Sequence, residues 1–395
     1  MIDLMKGSLT MSRKLRMGMV GGGHDSFIGA VHRQAAQLDG QIDFISGALS
    51  STPKKSIESG KSLFLSEDRN YGSWEEMLEH EILLDDDQRI DFVSIVTPNH
   101  LHFEVSKAFL KAGIHVICDK PMTYSLAEAK ELIKVVKETN KIFALTHNYT
   151  GYPLVKQARH LVQNGDLGEL LKVVVEYPQG WLLEPLEKEN HKQALWRVDP
   201  EKAGVSNCIG DIGSHCENLL HYITGLQILE ICADLKSIED RILDNDGNIL
   251  LHLEKGVSGI LHASQFSTGE ENDLNIRIYG TKGSISWHQE TPNSMWLKSN
   301  TSPAQLFLRG NDYLCDAAKR ATRLPAGHPE SFIEAFANIY MNATDTIRSK
   351  ILGSVPSELE LDFPGVIDGA RGMAFIEAVV ESNKSDKKWY PMKPY

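Results

Sequence analysis

A short apolar run at 16–20 ends on three glycines, Gly21, Gly22 and Gly23, and helix-spaced apolar residues follow over 30–38. Few folds place a strand, a glycine turn and a helix at the head of a chain. The pattern then repeats. Strands are expected at 42–49, 91–96, 114–118 and 142–146, with helices over 101–112 and 126–139 between them. Strands joined by helices of this length require a parallel sheet with right-handed crossovers. Ligands of such sheets sit beyond the carboxyl ends of the strands.

The glycine turn points to a dinucleotide. Glycines let the backbone approach a pyrophosphate, and the following helix N-terminus attracts it. The next glycine is Gly29, so His24, Asp25 and Ser26 read as an insertion in the usual spacing. Gly21, Gly23, Ser26, Phe27 and Ile28 are the expected contacts of this turn. The second strand ends on Ser50 and Ser51, with Lys54 and Lys55 close behind and no acid to hold a ribose diol. That leaves the cofactor as NAD or NADP, with a slight lean to a 2′-phosphate. Two further strand ends enter the same crevice. One carries Thr97, Asn99 and His102, and the other carries Asp119 and Lys120 before Pro121.

The second half has a different rhythm. Strands are expected at 170–177, 227–235, 249–253, 257–266, 274–279 and 284–288, several with strict alternation. A hairpin turn at 280–283 joins the last two. Successive hairpins imply an antiparallel sheet, one face covered by helices and the other by a partner or water. Helices are expected at 330–349 and 364–382. Asp211 and His215 lie four apart before Leu219, Tyr222 and the terminating Gly225, which places both on one face of a helix that Asp211 would cap. Trp196 and Arg197 fall in a long polar connection able to close over the crevice, and Tyr149 and His328 are further candidates for the pocket.

The 395 residues suffice for two domains, and 42% hydrophobic content is ordinary for a globular chain. A net charge of -12 argues against nucleic acid or an anionic membrane as partner. Five cysteines without a CxxC pair fit neither a zinc site nor a disulfide framework, so no metal and a cytoplasmic setting are expected. Residues 1–14 lack an apolar core of signal type, and the first dozen read as a loose lead-in.

Taken in order, the glycine turn ending in His32, the Thr97–His102 run, Cys118-Asp119-Lys120-Pro121, Trp196-Arg197 and Asp211-x-Gly213-x-His215 resemble the Gfo/Idh/MocA oxidoreductases. The likeness runs from about residue 14 to 385. It implies a Rossmann domain at 14–147 and an α/β domain with a large, mostly antiparallel sheet at 148–395, the final helix packing back on the Rossmann domain. It also implies hydride transfer between NAD(P) and a secondary hydroxyl or ketone of a sugar, inositol or glycoside, and a homo-oligomer (dimer or tetramer). Lys120, Asp211 and His215 map onto the family's catalytic set. His215 would carry the proton, Lys120 would bond the reacting oxygen, and Asp211 would orient His215. Substrate would meet Lys120, Tyr149, Asp211, His215 and His328. The chain departs from the family at Asp119, where glutamate is usual, at Asn218, where an acid is usual, and in a glycine run reduced to Gly204. Two other readings use the same site: redox-assisted elimination from a glycoside with recycled cofactor, and a nicotinamide-binding sensor without turnover.

Overall fold

The computed structural model describes residues 11, 13–189 and 191–395. The expected lead-in therefore lies, apart from Met11, outside the described residues. The first sheet contains β1 (Leu15–Gly21), β2 (Ile42–Ala48), β3 (Phe92–Val96), β4 (His115–Cys118) and β5 (Phe143–Leu145). All neighbours are parallel, in the order β2-β1-β3-β4-β5. Its helices are α1 (Phe27–Gln37), α2 (Pro53–Ser62), α3 (Trp74–Glu81), α4 (His102–Lys111) and α5 (Leu126–Thr139). The segment after β2 that carries Lys54 and Lys55 is helical, because Pro53 supplies the fixed φ that suits a first turn. Every residue of β3 is buried, as the central strand of a sheet covered on both faces must be.

The rest of the chain forms α6 (Pro153–Gln163), β6 (Leu170–Pro178), α7 (Lys192–Arg197), α8 (Pro200–Ala203) and α9 (Ser214–Thr224). Strands β7 (Ile228–Lys236), β8 (Asp246–Leu253), β9 (Ser258–Ser264), β10 (Asn275–Gly280), β11 (Ser284–His288), β12 (Ser294–Lys298) and β13 (Gln305–Leu308) follow. Helices α10 (Asp316–Arg320), α11 (Phe332–Ile351) and α12 (Val366–Lys384) precede a final short β14 (Tyr390–Pro391). The second sheet has nine strands in the order β13-β12-β11-β10-β6-β9-β8-β7-β14. Only β6 and β9 pair in parallel, and β10 turns into β11 through the expected hairpin. Helix α9 packs on β6 and β9 and also meets α6 and α12. Apolar side chains remain exposed along the sheet, among them Leu250, Trp296 and Leu306.

The two sheets share their covering helices. Helix α12 packs on α5 and on β7, as expected of the last helix. Helix α11 also returns to the parallel sheet, laying Phe336, Ala337, Tyr340, Ala343 and Ile347 into one core with Met17, Met19 and Phe92. The Tyr340 hydroxyl lies 2.7 Å from His32 Nδ1 and 2.8 Å from Ser94 Oγ. No helix among the described residues is long and apolar enough to cross a membrane.

Candidate active site

A cleft of about 1340 Å³ runs from the carboxyl end of the parallel sheet to the helical face of the second sheet. Its first end is a backbone cradle. Gly21 and Gly22 hold φ of 76° and 69°, in the left-handed region that favours glycine. A Cβ at Gly29 would stand 2.3 Å from the Gly22 carbonyl oxygen, so α1 can start against the turn only with glycine there. Ser26 caps α1 by accepting from the Gly29 amide at 3.1 Å. The Thr97 hydroxyl is buried without a partner and belongs to the wall of the cleft. Bare glycine backbone, a helix N-terminus and an unpartnered hydroxyl fit a dinucleotide.

Gly21, Gly23, Ser26, Phe27, Ile28, Ser50, Ser51, Thr97, Asn99, Asp119 and Lys120 all line the cleft. His102 does not. It is buried beneath, 2.7 Å from the Pro121 carbonyl and 2.9 Å from that of Thr97, and so braces two strand ends instead of touching a ligand. The two lysines after β2 differ in how closely they are paired. Lys54 lies 4.0 Å from Glu58, and Lys55 lies 2.7 Å from Asp25 of the inserted turn.

Lys120 leads from β4 into the second end of the cleft. Asp119 steadies it, its Oδ1 accepting from the Lys120 amide and the Thr146 hydroxyl, each at 2.9 Å. Burial opposes ionisation of Asp119, but His32 and Lys120 outweigh it and hold the carboxyl well below the usual range. The Lys120 ammonium donates to the Asp211 carbonyl at 2.7 Å and to Asp211 Oδ1 at 2.8 Å. Arg197 Nε donates to Asp211 Oδ2 at 2.9 Å, and Gln265 reaches the same oxygen at 3.3 Å. Burial again disfavours the charge, but Arg197 and Lys120 together keep Asp211 ionised far below the ordinary carboxylate range. Arg197 is not paired with Asp199, which binds Lys202 instead; its guanidinium stacks on Trp196 at 4.3 Å and Trp181 at 5.6 Å.

These contacts correct two expectations for Asp211. It is not a helix cap: it sits within a π-helical stretch, Ile209–Gly213, that runs straight into α9, and its own amide donates to the Asn207 carbonyl. Nor does it orient His215, since the bonds to its side chain come from Lys120, Arg197 and Gln265. The wider π turn rotates residue 211 off the i, i+4 alignment of a regular helix. His215 Nδ1 instead lies 3.4 Å from Nδ1 of His147, at the end of β5. Burial and the Lys120 charge push His215 well below the ordinary imidazole range, so it is neutral.

Tyr149 lines the cleft as expected, its ring edge-on to His215 at 4.8 Å. Its hydroxyl bonds that of Tyr177, which donates to Asn272 at 2.8 Å. Gln179 also donates to Asn272, at 2.6 Å, and accepts from the Trp181 indole at 3.0 Å. Tyr177, Gln179, Trp181, Asn272 and Gln289 were not read from the sequence. The spacing of 177, 179 and 181 at the end of a strand was the available signal, since alternate residues share a face. His328 does not reach the cleft. It lies exposed in a loop whose carbonyls accept from Arg309, a guanidinium itself anchored on buried Glu330. Asn218 is buried in α9 away from the cleft wall.

Residues 15–147 match the oxidoreductase family model with an NAD-binding Rossmann fold, and residues 155–286 match the GFO/IDH/MocA C-terminal domain. The chain belongs to the Gfo/Idh/MocA family. Its first domain is a nicotinamide dinucleotide-binding Rossmann fold. The uncharacterized oxidoreductase YfiI of Bacillus subtilis is 31% identical over 99% of this chain and 100% of its own length. An inositol dehydrogenase homolog of Azotobacter vinelandii, solved with NAD+, superposes with a TM-score of 0.92 at 31% identity, covering 98% and 99% of the two chains. Levoglucosan dehydrogenase of Pseudarthrobacter phenanthrenivorans is 27% identical over 70% of this chain and 74% of that one.

Proposed function

We propose that this oxidoreductase oxidises a secondary hydroxyl of an uncharged cyclic polyol, a sugar or an inositol, and reduces the corresponding ketone. The observation that carries the reading is one cleft with the glycine cradle at one end and Lys120 and His215 at the other. The uncharged hydrogen-bonding groups of Tyr149, Gln179, Asn272 and Gln289 suit hydroxyls, and the anion of Asp211 is already matched by two cations. The names of the inositol and levoglucosan relatives support the same class. NAD is the favoured cofactor: the inositol dehydrogenase homolog was solved with NAD+, and Lys55, the lysine after β2 that lines the cleft, is paired with Asp25.

The nicotinamide, when bound, supplies the hydride acceptor. Neutral His215 takes the hydroxyl proton in oxidation and returns it in reduction. Lys120 donates to the same oxygen and stabilises charge as it develops. Asp211 fixes where the Lys120 ammonium points, accepting from it through both its carbonyl and Oδ1. The sheet face that exposes Leu250, Trp296 and Leu306 is the face proposed for assembly into a homo-oligomer.

The test is a panel of polyols and glycosides read by nicotinamide absorbance with each cofactor. Turnover of at least one uncharged polyol with NAD, lost in Lys120→Ala and in His215→Ala while NADH still binds, is the expected result. NADH binding without turnover of any polyol would favour a sensor, and activity retained in either variant would remove that residue from its role.

A further inference from the structure

The structure leaves His215 without the carboxylate that would set its tautomer, and puts a second imidazole there instead. The two Nδ1 atoms are 3.4 Å apart and the rings stand at 86°. Both side chains are buried, with relative exposures of 2% for His147 and 6% for His215. His215 also packs edge-on against Tyr149, which limits rotation of its ring. Among the described residues no protein group bonds its Nε2, and the residue lines the cleft.

A contact between two Nδ1 atoms needs one proton, carried by one ring and accepted by the other. If His147 donated, neutral His215 would carry its proton on Nε2 and offer the cleft no base. If His215 donates, its Nε2 lone pair faces the cleft. The same direction holds after protonation, because imidazolium still donates from Nδ1. Only this arrangement serves both halves of a reversible proton transfer.

We propose that His147 is a positioning residue for His215: its Nδ1 accepts the Nδ1 proton and leaves Nε2 to exchange protons with substrate. The proposal rests on His215 being the proton carrier. His147 suits a permanent acceptor, since burial and the Lys120 charge lower it to about 3 and it stays neutral at working pH. The groups that face the pair are Lys120 and Asp119 from the end of β4, Asp211 from the π turn, Tyr149 and Tyr177 from the pocket, and Asp368 and Arg371 from α12. None of them offers His215 Nδ1 a second acceptor in the structure. A neutral acceptor also explains how His215 remains a weak base here, where a carboxylate would raise it.

The experiment replaces His147 by Asn, Leu and Asp in the full-length enzyme. Asn offers an acceptor oxygen where Nδ1 was, and its kcat should stay within about tenfold of the parent. Leu removes the acceptor, and kcat should fall about 100-fold or more while KM and NADH affinity change little. Asp supplies an anion, and the acid limb of the kcat profile for oxidation should move up by about one pH unit or more relative to Asn. Leu equal to Asn in kcat, or the same acid limb in Asn and Asp, would overturn the proposal. The Asn and Asp pair decides the matter even if the Leu variant does not fold. His215→Ala is run in parallel. If it keeps turnover, the proton-carrier reading fails; if it is dead while His147→Leu behaves as the parent, only the positioning role fails.

Discussion

Lys120 Nζ sits 2.8 Å from Asp211 Oδ1, and Arg197 Nε sits 2.9 Å from Oδ2 of the same carboxylate. One anion thus joins a strand end of the Rossmann domain to the loop and π turn of the second domain. Asp211 exposes 13% of its side chain and Lys120 16%, so solvent screens the group only weakly. Asp211→Asn leaves two cations facing a neutral amide. The expected loss of stability is about 3 kcal/mol in a urea titration, because removing one partner of a buried pair strands the other. Asp199→Asn is the control: its pair with Lys202 is half exposed and is expected to contribute less than about 1 kcal/mol. Equal losses in the two variants would refute the bridging role.

The glycine cradle gives a local test of the cofactor end. An alanine Cβ at residue 29 would lie 2.3 Å from Gly22 O and 2.5 Å from Gly22 Cα, contacts that only backbone movement can relieve. Gly29→Ala should therefore weaken NADH binding by at least about tenfold, or about 1.4 kcal/mol, in a fluorescence titration. Unchanged affinity would show that the α1 N-terminus does not shape the site.

How far the chain could be read follows from the range of its signals. The β1 to β5 alternation and the hairpin at Gly280 are short-range patterns, and both are present in the structure. Lys120, Asp211 and His215 could be placed in one cleft because strand ends and the resemblance both located them. What was missed depends on local backbone geometry and on contacts that residue spacing does not mark. Whether Asp211 faces His215 or Lys120 turns on a π stretch, which leaves no mark in residue spacing. His102 looks like a ligand beside Asn99 until its two nitrogens are found facing the carbonyls of Thr97 and Pro121 and not the cleft. Helix α11 was legible as an apolar stripe, but nothing in it says that Phe336 and Tyr340 cover the parallel sheet.

Buried histidines set the acid side of stability. His115 and His147 are both lowered to about 3, each chiefly by burial, and His102 is lowered by the same cause. A folded value below the unfolded one means that the unfolded chain takes up protons first. Their contribution is full above about pH 6.5 and is lost as pH falls from there towards the folded value, by up to about 1.4 kcal/mol per pH unit for each group. Asp119 and Asp211, also lowered, lose theirs only below about pH 4, so the interval between isolates the histidines. His115 Nδ1 accepts from the Ile142 amide at 2.9 Å, and an asparagine oxygen can replace it. His115→Asn should flatten the fall in unfolding free energy between pH 6.5 and 4.5 by up to about 1.4 kcal/mol per unit. Parallel pH profiles for variant and parent would contradict this.

The helix bearing His215 is held by a buried ion pair. Glu217 of α9 and Arg371 of α12 meet at 2.7 Å, with side chains 2% and 5% exposed. Arg371 also reaches Asp368 at 2.9 Å, whereas Glu217 Oε2 is buried with no partner. Glu217 thus has little besides Arg371 to offset its desolvation. Arg371→Met should lower stability by about 3–5 kcal/mol, because the carboxylate stays buried without its counter-charge. The double variant Arg371→Met, Glu217→Leu removes both charges and fills the space with apolar volume. It should recover most of that loss, since well-packed hydrophobic replacements of buried pairs are often neutral or stabilising. Denaturant midpoints of the parent, both single variants and the double complete the cycle. A double variant no more stable than Arg371→Met would show that the loss came from packing of the arginine stem and not from the stranded charge.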